Sequence, residues 1–535
     1  MNRLLLVAAA FLCAFANLAF FRNVHAVLPP GPEGLLQAAA LAAVLACGTV
    51  LLLSLTCFRF TVKPVLIALF LVSAACAYFM DTYNVVIDRD MLVNAASTDA
   101  AETADLLTPR FFAYLALLWL VPSALVLAVR IRREPRRRAV LRRLALAGGS
   151  AALALLVMVS MSAFFASFIR EHKPLRYYTN PLTPVWSAWR YASARPERAP
   201  GPPEPVGADA RVAADFGDRE LVVLVVGETA RADHFSLNGY ARETNPQLAR
   251  EDVAFFSNVS ACGTSTAISV PCMFALAPAA DFDGEEITRR ENLLDVLRHA
   301  GVNVLWRDNN SSSKHVADRV RTEDFRSPER NPVCDDECRD EGMLAGLQDY
   351  VDGIEEGDIL IVLHQMGSHG PAYYKRYPDE FRRFEPTCDT AQLDECTREE
   401  IVNSYDNTIV FTDHFLARVI DFLRANDGPF ETVMLYMSDH GESLGEGGLY
   451  LHGMPAFLAP EAQTKVPMIV WFGPSYDDAR IEDLRRLGDA PLSHDNLFHT
   501  TLGIFEVDTD VRDPGLDLLE RSRSRPGTAY TLHAP

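Results

Sequence analysis

Three residues that could share one metal ion are delivered by two separate parts of the chain. Glu228 follows the apolar, β-branched run Leu221 to Val226 and the turn residue Gly227; Asp439 and His440 follow the run Thr432 to Met437 and Ser438. A carboxylate straight after a buried strand is where an α/β sheet puts chemistry, outside the carboxyl ends of its strands. Two carboxylates and an imidazole form a mixed O/N set that suits Zn²⁺. An Asp-His pair taken singly is a capping turn, but with Glu228 at the same edge, and Gly441 giving backbone freedom, ligation is the stronger reading. Between the two runs lies SACGTSTAISVPC, Ser260 to Cys272. Its small residues allow close backbone approach, and its hydroxyls lead into a helix start, where free N–H groups favour an anion. A hydroxyl-rich helix cap explains one of these residues but not the run. Zn²⁺ would lower the pKa of a bound threonine hydroxyl and make it a nucleophile. On residue chemistry alone Thr264, Ser265 and Thr266 are rivals for that role.

Other polar residues follow strand-like runs in the same way. Asn310 and Lys314 lie after Val302–Trp306, His364 and His369 after Asp358–Leu363, and His452 in the later segment LHGMP. One lysine in a polar loop is ordinarily just solvated, and one histidine means little. Three histidines in such loops are more than scatter, and protonated imidazole could assist a leaving alkoxide. Lys465–Phe472 reads as another strand, and Arg289–His299 and Glu399–Arg424 as helices. Strand runs alternating with helical stretches predict a mostly parallel sheet covered by helices on both faces.

These elements occupy only the later part of the 535 residues. The first third holds five apolar segments near the roughly 20 residues needed to span a bilayer: Leu4–Phe20, Leu35–Cys57, Pro64–Met80, Phe111–Val129 and Leu144–Phe168. Because four spans follow the first, it reads as a retained helix and not as a cleaved signal. Arg130 to Arg138, with Arg142 and Arg143, is heavily basic, and Arg59 and Lys63 mark another basic loop. The positive-inside rule makes both cytoplasmic, which puts the amino terminus inside and everything after Phe168 in the periplasm. Trp186, Trp189, Tyr177, Tyr178 and Tyr191 suit a membrane interface, and the Pro-rich stretch Pro196 to Pro205 is a stiff tether. The predicted divisions are 1–170 (membrane, with an outside loop at 81–110), 171–208 (interface and linker) and 209–535 (catalytic). A net charge of −20 argues against a nucleic-acid binder. Cys13, Cys47, Cys57 and Cys76 lie in spans; the other six cysteines fall in the later part, where an even count in an oxidising compartment reads as disulfides with the pairing open.

Five stretches in order carry a resemblance: GETARADHFSLNGY from Gly227, CGTSTAISVPCMF from Cys262, WRDNNSSSKH from Trp306, GSHGPAYYKRYP from Gly367 and SDHGESLGEGGLYLHGMP from Ser438. The chain resembles the lipid A phosphoethanolamine transferases, the family that includes the mobile colistin-resistance enzymes, over nearly its whole length. The resemblance implies five transmembrane helices and an alkaline phosphatase/sulfatase-like periplasmic domain in the bacterial inner membrane. It selects Thr266 as nucleophile and as fourth zinc ligand beside Glu228, Asp439 and His440. It makes Asn310, Lys314 and His364 substrate contacts, gives His369 and His452 to the substrate or a second zinc, and pairs Cys262 with Cys272, Cys334 with Cys338 and Cys388 with Cys396.

In the loop 81–110, Asn94, Thr98 and Glu102 recur at helical spacing on one face. The bland reading is a solvated stripe; the resemblance makes the three headgroup contacts. The implied reaction moves phosphoethanolamine from phosphatidylethanolamine to a lipid A phosphate through a threonine-bound intermediate, in a monomer, and contributes to polymyxin and cationic peptide resistance. Transfer to a core sugar or glucan uses the same chemistry. A sulfatase would need a Cys/Ser-x-Pro-x-Arg motif, which is missing around Thr266 and Cys272. A polyglycerol-phosphate synthase matches the cysteine pairs and GSHGP less well, and a membrane scaffold leaves the metal-type residues unexplained.

Overall fold

A computed structural model describes residues 1–97, 100–131, 135–193, 202–212, 219–284, 286–335 and 337–523. The chain divides into two compact units, one of Met1–Ala95 with Ala100–Arg195, the other of Pro196–Pro535 with Ala96–Asp99. The helix Leu182–Ser193, expected at a membrane interface, therefore belongs to the first unit.

In the first unit, Pro32–Thr56, Val62–Tyr83, Pro109–Ala128 and Arg137–Ser160 are long and apolar enough to cross a membrane. The segment expected as the first span is instead two helices, Asn2–Phe15 and Leu18–Val27, bent by 57°. Asn17 sits at the break, buried, and its amide donates to Leu12 O at 2.9 Å and to Asn180 O at 2.7 Å. A side chain that captures backbone groups in this way competes with the helix ladder and bends it. The predicted last span also breaks, at Met161, before the helix Ser162–Glu171. Within Pro109–Ala128 one wide turn, Leu115–Leu120, precedes Pro122, whose missing N–H the ladder must accommodate. The expected face of Asn94, Thr98 and Glu102 is described only in part. Asn94 lies in Arg89–Ser97, Glu102 in Ala100–Leu106, and Thr98 outside the described residues.

The second unit is built on a sheet of eight strands. In chain order these are β1 (Glu220–Gly227), β2 (Val253–Ser260), β3 (Asn303–Asp308), β4 (Arg321–Asp324), β5 (Ile359–His364), β6 (Glu431–Ser438), β7 (Lys465–Phe472) and β8 (Leu492–Ser493). Their spatial order is β8-β2-β7-β6-β1-β5-β3-β4. All pairings are parallel except the two made by β7, so the sheet is mixed, with β7 alone reversed. β1 is buried along its whole length, as its unbroken Val/Leu run requires. Val222, Leu224 and Val226 on one face pack in a core with Met273, Phe274, Leu293 and Leu297. The helix Arg398–Asn426 packs on β6 and β1 outside that cluster, covering the other face. It starts at a capping box in which Thr397 and Glu400 satisfy each other's backbone N–H groups.

Candidate active site

β6, β1, β5 and β3 are adjacent and parallel, so their carboxyl ends open onto one edge. Glu228 leaves β1, Asp439 and His440 leave β6, His364 ends β5, and Asp308 ends β3 with Asn310 beyond it. The turn at Gly227 is tight because a Cβ there would come within 2.5 Å of Tyr436 Oη. Thr229 holds φ +52°, costly for a β-branched residue. Its N–H donates to Asp439 Oδ1 at 3.2 Å and its carbonyl accepts from Tyr405 Oη at 2.7 Å, which together fix the turn that aims Glu228.

Thr266 opens the helix Thr266–Phe274, and its hydroxyl donates to Glu228 Oε2 at 2.9 Å. The Asn310 amide donates to the same oxygen at 2.8 Å. His440 Nδ1 donates to Gly441 O at 2.9 Å, leaving Nε2 as the lone-pair nitrogen. That nitrogen lies 3.4 Å from Thr266 Oγ1, 3.4 Å from Glu228 Oε1 and 3.5 Å from Asp439 Oδ2. Glu228 Oε1 and Asp439 Oδ2 are both buried with no hydrogen-bond partner. Two carboxylate oxygens left bare in a dry site are expensive unless a cation sits between them. The donor set therefore fits a zinc ion, with two carboxylates, one imidazole nitrogen and one hydroxyl converging. Burial, and next the charge of Asp439, raises the Glu228 pKa; burial pushes Asp439 up to about 6. Burial, with His452 nearby, pushes His440 down to about 4, which keeps it neutral.

A second group adjoins the first. His440, Glu442 and His452 offer ligand atoms close enough to hold an ion. Glu442 is fully buried, accepts from Tyr373 Oη at 2.7 Å and pairs with His452 Nδ1 at 2.8 Å. Burial pushes its carboxyl up to about 7. The His452 ring lies 4.4 Å from that of His440 and 5.4 Å from that of His369. Burial works against protonation of His364, but Asp308, 3.1 Å from its Nδ1, raises its pKa overall; its Nε2 is buried without a partner. Lys314 is buried and donates to Ser311 Oγ at 2.6 Å.

Of the residues singled out from sequence, Glu228, Asp439, His440, Thr266 and Asn310 thus meet directly. His369 and His452 adjoin them, while His364 and Lys314 engage Asp308 and Ser311. Asn94 belongs to the other unit. Thr266, and not Thr264 or Ser265, reaches Glu228: the Thr264 hydroxyl donates to Met454 O at 2.6 Å. Glu442, Tyr373 and Asp308 were not read from sequence. Cys262 is bonded to Cys272 across the Thr266 segment, Cys334 to Cys338 and Cys388 to Cys396.

A mixed sheet with this edge defines a sulfatase-type catalytic domain, and residues 220–507 match the family described as Sulfatase. Residues 45–195 match the family described as phosphoethanolamine transferase EptA/EptB. The phosphatidylethanolamine transferase Mcr-1 of Escherichia coli is 44% identical over 520 residues, 94% of this chain and 95% of that protein. The phosphoethanolamine transferase EptA of Salmonella typhimurium is 38% identical, covering 97% of this chain and 96% of that protein. The solved integral membrane lipooligosaccharide phosphoethanolamine transferase A (EptA) from Neisseria meningitidis matches with a TM-score of 0.92 at 33% identity, over 97% of this chain and 98% of that one. The chain belongs to the phosphoethanolamine transferase family.

Proposed function

We propose that the chain transfers phosphoethanolamine from phosphatidylethanolamine to a phosphate of lipid A, through an ester on Thr266. The observation that carries this reading is the Thr266 hydroxyl, 2.9 Å from Glu228 Oε2 at a helix amino terminus and among the converging donors. Glu228, Asp439, His440 and Thr266 would hold a zinc ion, which when bound lowers the pKa of the threonine hydroxyl and offsets phosphoryl charge. Thr266 Oγ1 gives up its proton toward Glu228 and attacks the phosphorus, forming one P–O bond as the bond to diacylglycerol breaks. His452, oriented through Nδ1 by Glu442, donates a proton to the departing alkoxide. A lipid A phosphate oxygen then attacks the same phosphorus and Thr266 leaves, recovering its proton. Lys314 and Asn310 bind phosphoryl oxygens, and His364 and His369 line the substrate, with His369 and His452 also able to take a second ion.

Asn94, Thr98 and Glu102 bind the donor headgroup in this account. Five spans, counting the bent pair Asn2–Phe15 and Leu18–Val27 as one, anchor a monomer in the inner membrane with its amino terminus cytoplasmic and catalytic domain periplasmic. The added ammonium weakens attraction of polymyxin and cationic peptides. Mass spectrometry of lipid A from cells with and without the gene tests the acceptor. One added phosphoethanolamine is expected. Unmodified lipid A beside modified core sugar would overturn it.

A further inference from the structure

Within the membrane-spanning unit lies a cavity of about 270 Å³ whose walls are almost wholly apolar. Leu41, Leu45, Met158, Phe165 and Phe168 line it, from the helices Pro32–Thr56, Arg136–Ser160 and Ser162–Glu171. Its mouth is different in kind. There the chain leaves the last apolar helix, and His172, Lys173 and Arg176 follow within one turn and a half. Lys173 and Arg176 are exposed, and the Arg176 guanidinium rests on the Tyr177 ring at 4.8 Å with one N–H on its hydroxyl. Among the described residues that line the cavity none is acidic, and Arg170 and Glu171 directly precede His172 at the mouth.

We propose that this groove holds one acyl chain of an anionic phospholipid whose phosphate is bound by Lys173 and Arg176. The apolar walls select a hydrocarbon chain, and two cations at the mouth match one phosphate diester. The charge balance selects further. From Arg170 to Arg176 the mouth carries three cations, Arg170, Lys173 and Arg176, against one acid, Glu171, so its net positive charge favours a headgroup with net negative charge over the zwitterionic donor lipid. A cavity sized for a single chain favours a two-chain lipid over the many-chained acceptor. The site is independent of the catalytic reading.

The test uses the full-length protein reconstituted in vesicles of equal phosphatidylethanolamine and phosphatidylglycerol with a minor share of lipid A, then released into mild detergent for native mass spectrometry. One phosphatidylglycerol per chain should be retained, in roughly tenfold excess over retained phosphatidylethanolamine. The double variant Lys173→Glu, Arg176→Glu should bring the retained lipid back to the vesicle composition. Val44→Trp, which fills the groove from its wall, should remove the bound lipid while a thermal melt monitors the fold. Preferential retention of phosphatidylethanolamine or of lipid A would overturn the proposal. So would phosphatidylglycerol retained unchanged by both variants, which is the behaviour of annular lipid only.

Discussion

At the scale of single residues, the catalytic edge is organised by two carboxylate oxygens with nothing to bond, Glu228 Oε1 and Asp439 Oδ2. Replacing Glu228, Asp439 or His440 by alanine removes one of the converging donors, and each should cut transfer roughly a thousandfold or more and lower zinc content measured on the purified protein. Full activity with normal metal in any one of them would remove that residue from the set. Glu442→Gln is a subtler change. It keeps an acceptor for Tyr373 but offers His452 an N–H where a carboxylate stood, so it should reverse the ring's preferred tautomer and lower kcat about 10–100-fold while the ion held by Glu228, Asp439 and His440 stays bound. Equal kcat for Glu442→Gln and the unsubstituted protein would show that His452 does not depend on it. Glu228, Asp439 and His440 were legible in the sequence because each directly follows a strand run, and strand ends are where such sheets work. Glu442 was not, because its role comes from Tyr373 and His452, which reach it only through the fold.

At the scale of elements, β1 carries chemistry at one end and a protonation linkage at the other. Glu220, at its amino end, is buried; burial first and Asp358 second push its carboxyl up to about 9. The folded chain therefore keeps a proton that the unfolded chain has already released, and stability falls as pH rises from the ordinary carboxylate range through about 9. Glu220→Gln should raise the melting temperature at pH 8 and flatten its dependence across that window; an unchanged slope would assign the linkage elsewhere. The disulfides are element-scale devices too. Cys262–Cys272 closes the segment that presents Thr266, and removing it as a double alanine variant should cost about 2–4 kcal/mol of stability and more activity than removing Cys388–Cys396. A variant that melts lower yet transfers normally would make the bridge structural alone. β7 was legible with its bounds because its run is unbroken. β2 was missed because VAFFSNVS interrupts its apolar run with Ser257 and Asn258, and β4 because RTED is exposed and polar, a strand made by its neighbour and not by its own propensity. The bend in the first membrane segment depends on Asn180, far along the chain, and no window around Asn17 contains that information.

At the scale of the whole molecule, one chain joins an apolar unit to a catalytic unit, and the reaction assigned to it uses lipids as donor and acceptor. Tethering restricts both to a surface and converts a search in volume into one in two dimensions. The central claim is that the phosphoethanolamine rests on Thr266 between two lipids. It is tested most directly on the full-length protein in phosphatidylethanolamine vesicles without acceptor, by intact mass and peptide mapping, followed by addition of lipid A. The account predicts one phosphoethanolamine on the peptide carrying Thr266, a burst of diacylglycerol near one equivalent, and loss of the adduct to lipid A on the chase. Robust transfer by Thr266→Ala, with no adduct at any residue, would contradict it.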